Sequence, residues 1–155
     1  MSAFHFQPAR RASGAPEIRQ ITPESSATIA LGEVLQRDTN PEFVEPHAGG
    51  ATVTGILGIS MGVVTAGTPA FDNVVPVAIA NVDQEFLGKV WDVSGSVVQT
   101  AAVATHEGVS FGVVKISGQW YVDEEDTTDV VVRVTKVLLD INAVLFKFLA
   151  SAVVD

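Results

Sequence analysis

The chain has 155 residues, nine basic against eighteen acidic side chains for a net charge of −9, and no cysteine. This length suits one globular domain; the missing cysteines exclude disulfides, thiolate metal sites and cysteine nucleophiles. So acidic a body repels a phosphate backbone, which argues against a dedicated nucleic-acid binder, and 47% hydrophobic against 17% charged residues excludes wholesale disorder.

The first 26 residues read differently from the rest. They combine "FHF" at 4–6, adjacent Arg10 and Arg11, and Pro8, Pro16 and Pro23, with no helix or strand periodicity. Residues 1–22 carry Arg10, Arg11 and Arg19 against Glu17, a net +2, leaving −11 on residues 23–155. The expectation is an extended arm, residues 1–26, ordered only against a neighbouring subunit or a larger shell, with Phe4 and Phe6 as apolar anchors and the three arginines facing an acidic surface. No apolar stretch follows Arg10-Arg11, so a secretory signal is not expected.

Residues 27–155 are expected to form a single β-barrel-like domain. Their 26 valines favour pleated, half-buried surfaces, and glycines and prolines punctuate the chain at short intervals. "TIALGEVLQRD" predicts a strand over about 27–36, with Asp38-Thr39-Asn40-Pro41 as the turn behind it. "EFVEPH" is a short extended piece. "GGATVTGILGISMGVV" is too glycine-rich for a helix and suits a sharply bent strand at a barrel corner. "VVPVAIA" (74–80) is a strand that Pro76 assigns to an edge or bulge, and "FLGKVWDV" (86–93) is another.

"VVQTAAVATHEG" (97–108) is the one plausible helix, with Gly108 as its C-cap. Ser117-Gly118 marks a hairpin between strands 111–116 and 119–123. In "DVVVRVTKV", Val130, Val132 and Val134 fall on one face and Arg133 and Thr135 on the other, the mark of a half-buried antiparallel strand. "AVLFKFLASAV" closes the chain. The most hydrophobic window, 137–154, is interrupted by Asp140, Asn142 and Lys147, so no membrane span is expected. The fold class is therefore all-β, mainly antiparallel, with at most one or two short helices.

Chemistry is sparse. "YVDEEDTTD" puts Asp123, Glu124, Glu125, Asp126 and Asp129 within seven positions. A calcium loop starting at Asp123 would need glycine where Thr128 stands and glutamate where Val134 stands. The stretch reads as a hydrated turn that also keeps a sheet end from pairing. His5, His47 and His106 lack zinc-site spacing. "GISMG" (58–62) fits a nucleophile elbow around Ser60 literally, but the β-branched, Gly- and Pro-broken segment behind it cannot supply the helix. No cofactor motif is present.

One resemblance adds to this reading. The order of "LGEVLQRDTN", "PHAGGATVTGILGISMGVVTAG", "VPVAIANVDQEFLGKV", "GQWYVDEEDTTDVVVRVTKV" and "AVLFKFL", spanning roughly 28–149, is similar to that of the small head decoration (capsid cement) proteins of tailed bacteriophages. The resemblance implies a small β-barrel or β-tulip-like domain, a homotrimer, bound outside the shell to the major capsid protein and assembled in the host cytoplasm. It implies no catalytic residue, metal, cofactor, nucleic acid or membrane, and leaves Phe4, Phe6, Arg10, Arg11 and Arg19 as the contact candidates. Two alternatives remain: another virion component (minor capsid, head–tail joining or tail), and an enzyme built on Ser60 or on the 123–129 carboxylates.

Overall fold

A computed structural model of the chain describes residues 5–11, 14–50, 53–65, 74–92, 96–98 and 104–154. The fold is all-β, in two units. The first is a closed five-stranded barrel of β2 (Ile18–Pro23), β4 (Phe43–Pro46), β3 (Val34–Arg37), β5 (Ile56–Ser60) and β6 (Val75–Ile79), named in order around the barrel. All its pairings are antiparallel except β2–β4.

The second unit is an eight-stranded sheet. Its strands run in the order β1 (Gln7–Arg11), β7 (Gln84–Gly88), β13 (Ala143–Phe148), β12 (Val132–Leu138), β10 (Ser110–Ile116), β11 (Gln119–Asp123), β8 (Val90–Asp92) and β9 (Val97–Val98). Only the β11–β8 pairing is parallel.

The strand patterns explain the layering. In β12, Val132 and Val134 are fully buried and Arg133 is exposed, as period-2 alternation requires. β5 is buried at every position, because it serves two cores. Ile56 and Ile59 pack with Phe6, Phe86, Phe146 and Trp120 into the cluster shared with the sheet, whereas Leu57 joins Leu35, Val75 and Val77 inside the barrel. That double burial removes the alternation from "ILGIS" and leaves a continuous apolar run. The β10–β11 hairpin turns at Ser117 and Gly118, both with positive φ (50° and 80°), so the predicted turn stands where expected.

Several expectations are corrected. The described part of the leader, residues 5–11 and 14–26, is not an arm outside the domain: β1 is laid on β7, and β2 closes the barrel between β4 and β6. The prolines did not prevent this, because Pro8 lies on the sheet's edge strand and Pro23 ends its strand. The domain expected to begin at residue 27 thus includes the strands Gln7–Arg11 and Ile18–Pro23 of the leader. Pro76 sits in a strand paired on both sides, but its β5 ladder stops at Ser60–Val77, so the missing N–H falls where that ladder ends. The expected helix over 97–108 is a strand at Val97–Val98 and a 3-10 turn at Ala104–His106; residues 99–103 lie outside the described residues. The strand expected over 27–36 is confined to Val34–Arg37, behind turns and an isolated bridge from Ile29 to Val64.

Candidate functional site

The leader's candidate contact residues are held by the chain itself. Phe6 is 1% exposed, its ring centroid 4.9 Å from that of Phe146. Gly88 makes the room: a Cβ there would lie 2.6 Å from the Phe6 ring. Phe6 is a core residue and not a free anchor, which corrects the sequence reading; Phe4 lies outside the described residues. Arg10 pairs with the buried Glu85. Arg11 Nε donates to Asp83 at 3.1 Å, and Arg19 Nε to Glu17 at 2.7 Å. Each arginine therefore meets a carboxylate of its own chain. Burial alone would push the Glu85 carboxyl up, but the Arg10 and Thr135 hydrogen bonds and the charges of Arg10 and Lys147 outweigh it and hold it below its ordinary value.

Ser60 is 1% exposed and closes its own turn. Its hydroxyl donates to the Gly62 carbonyl at 2.6 Å, and the Gly62 N–H returns to Oγ at 3.3 Å. A hydroxyl bound in this way is not an exposed nucleophile. His47 is equally engaged: Gly49 N–H donates to Nδ1 at 3.0 Å, which assigns the proton to Nε2, 3.1 Å from the Thr54 carbonyl. Burial pushes this imidazole below its ordinary value, and the neutral ring is what both bonds require.

The acidic stretch is a turn, but a more structured one than a freely hydrated loop. Asp126 Oδ1 accepts from Thr128 N–H at 3.2 Å and Asp129 N–H at 2.9 Å, and Asp123 Oδ1 accepts from Glu125 N–H at 3.1 Å. Of this stretch only Glu125 and the two threonines are exposed. The turn lies against Gly112, where a Cβ would come within 2.3 Å of the Asp126 carboxylate. Burial, with the nearby Asp126 and Glu125 charges, raises the Asp123 carboxyl above its ordinary value. The mostly buried His106, edge-on to Phe111 at 5.4 Å, places Nε2 2.9 Å from Glu124.

Folding adds Asp92 to this group. Asp92, Glu124 and Glu125 each offer a carboxylate oxygen within 4.8 Å of the others. Oxygen ligands suit a hard cation, although acidic groups at a surface adopt such spacing without one.

A buried polar cluster was not legible in the sequence. Glu33, only 4% exposed, sits at the entry to β3; its Oε1 accepts from Trp120 Nε1 at 3.1 Å and lies 2.5 Å from Lys115 Nζ. Lys115 also stands 5.8 Å from the Trp120 ring centroid, and His47 meets that ring edge-on at 6.1 Å. The carboxylate from the barrel is thus bonded to two strands of the sheet. A charge-assisted pair of this kind ties the units together in one geometry. The only advance signal was a glutamate between the turn at 31–32 and an apolar strand, which alone names no partner.

Among the described residues, no helix is long and apolar enough to cross a membrane. Comparison with known protein families and with curated proteins finds no match for this chain.

Proposed function

We propose that the protein is a non-enzymatic structural subunit of a virus particle, a decoration or cement protein that binds the outside of a bacteriophage head and bridges coat subunits. The observation that carries this reading is an apolar rim on an otherwise acidic body. Leu31, Met61, Val63 and Val74 are exposed, Val63 to 72%. Backbone bonds from Gly32 N–H to Ser60 O and from Met61 N–H to Pro76 O draw their segments together beside the barrel. Clustered exposed apolar side chains are costly in water unless a partner covers them. The resemblance of the segment order to that of decoration proteins points the same way.

The physical requirement on a cement is stiffness without covalent bonds. A closed barrel tied to a broad sheet through Glu33, Trp120 and Lys115 suits it. Homotrimeric closure would multiply each contact with the major capsid protein through avidity. The test is co-sedimentation of purified protein with undecorated expanded heads. Saturable binding outside the shell at a copy number set by icosahedral symmetry supports the reading. A copy number confined to one vertex would point to a head–tail joining component, and absence of binding would refute the assignment.

A further inference from the structure

The sheet carries a line of charge that the ion pairs of the leader only half explain. On β12 and β13, Arg133 lies directly opposite Lys147, and Lys136 opposite Leu145 two positions along β13 on the same face. The β13–β7 register, extended one step from Phe146–Phe86, puts Lys147 opposite Glu85, to which Arg10 of β1 is bonded. One row thus runs Arg10, Glu85, Lys147, Arg133 across four neighbouring strands, with Lys136 beside it. The alternate residues Val132, Val134, Phe146 and Phe148 are buried, so this is the sheet's outer face.

The row and the cleft beside it hold five of the chain's nine cations (Arg10, Arg11, Arg133, Lys136 and Lys147) against two carboxylates (Asp83 and Glu85), a net charge of +3 on a protein of −9. Like charges directly opposite each other on an antiparallel pair are destabilising. Among the described residues, Arg133 has no ion-pair partner within 4.0 Å, and Lys147 has only the field of Glu85. On the Lys147 side a cleft of about 240 Å³, lined by Arg10, Arg11, Asp83, Glu85 and Lys147, opens at the row. Arg133 and Lys147 therefore form a facing pair of cations with a carboxylate, Glu85, on the Lys147 side alone.

We propose that this face is a docking surface for an acidic protein segment, which places an Asp or Glu carboxylate between Lys147 and Arg133. Charge complementarity selects the occupant. A guanidinium and an ammonium side by side match the two oxygens of a carboxylate. The Glu85 and Asp83 carboxylates in the same cleft, and the acidic body around it, disfavour a continuous phosphate backbone, which presents one negative charge after another. The inference stands independently of the capsid reading, since any partner with an acidic extended segment fits it.

The experiment titrates the full chain with an oligoglutamate peptide at low ionic strength, following chemical shifts or heat, with parallel arms of inorganic phosphate and a single-stranded oligonucleotide. Wild type is expected to bind the peptide saturably, with shifts centred on β12 and β13. Lys147→Gln and Arg133→Gln should each weaken binding by about tenfold, as for loss of one charged hydrogen bond, while Arg37→Gln, off this face, should not. Arg133→Gln should at the same time leave the free protein as stable or slightly more so, because it removes a like-charge contact. That pairing separates a binding role from a structural one.

Peptide affinity unchanged in both variants, or no peptide binding at all, would overturn the proposal. So would an oligonucleotide or phosphate that binds as tightly as the peptide. Self-association of the wild type that disappears in Arg133→Gln would overturn the assignment to another protein, making a second copy the occupant.

Discussion

Replacing Phe6 by alanine tests whether the first strand is part of the body. The side chain is 1% exposed and packs on Phe146 at a centroid distance of 4.9 Å and an interplanar angle of 57°. Truncating a buried phenylalanine costs about 3–5 kcal/mol, more where the surroundings cannot collapse into the hole. Here the neighbour across the gap is Gly88, which has no side chain to move in. A loss of about 4 kcal/mol is therefore expected, a large share of the roughly 5–15 kcal/mol that holds a domain folded. Urea unfolding measures it, with an unchanged slope confirming that the same surface is exposed. Gly88→Ala adds an internal check. Its Cβ would lie 2.6 Å from the Phe6 ring and 2.9 Å from that of Phe146, so it should be costly in wild type and markedly less so beside Phe6→Ala. A coupling of about 1 kcal/mol or more is expected. Loss of less than about 1 kcal/mol in Phe6→Ala, with additive behaviour in the double variant, would refute the packing argument and restore the leader as a dispensable arm.

The Glu33 cluster predicts that Trp120→Phe, which keeps the ring but removes the indole N–H, destabilises by about 1–3 kcal/mol through a buried acceptor left short of a donor; thermal melts compare it with wild type. In the acidic turn, Asp126→Ala should cost about 1 kcal/mol, because two backbone N–H groups lose their acceptor, while exposed Glu125→Ser stays within about 0.5 kcal/mol in the same unfolding assay. His47 supplies a pH dependence. Its folded value lies below the ordinary 6.5, so the unfolded chain takes up the proton first, and stability present above pH 6.5 is lost as pH falls through the folded value. Asp123 acts in the opposite sense, its contribution present below pH 3.8 and lost as pH rises through its elevated folded value. Stability followed from pH 7 downward should therefore fall less steeply in His47→Gln than in wild type.

The alternating valines of β12 and the positive-φ pair at 117–118 were legible because each is a local rule with one outcome. The leader was not. Its β1–β7 and β2–β6 ladders join residues 54 to 80 positions apart in sequence, from Ile21–Val75 to Gln7–Leu87, and β1 shows no periodicity because it is an edge strand exposed on most of its length. Pro8 argued against a strand locally and is tolerated only at that edge. "YVDEEDTTD" reads as a turn and is one from Glu124 on, yet the contribution of Gly112 depends on the β10–β11 pairing, which sets it opposite Asp123, and that of His106 on the 3-10 turn at Ala104–His106. Ser60 shows the opposite case: its motif matches literally, the segment behind it argues against a nucleophile elbow, and its hydroxyl is occupied within two residues.

Thermal rupture of expanded heads, recorded by calorimetry with and without saturating protein, tests the proposed role most directly. The account predicts that the heads open at a higher temperature when decorated, in proportion to bound copies up to saturation. It also predicts that the gain is smaller for a variant whose apolar rim is made polar at Met61 and Val63. Heads that bind the protein but rupture at the same temperature as bare ones, or that do not bind it at all, would contradict the central claim.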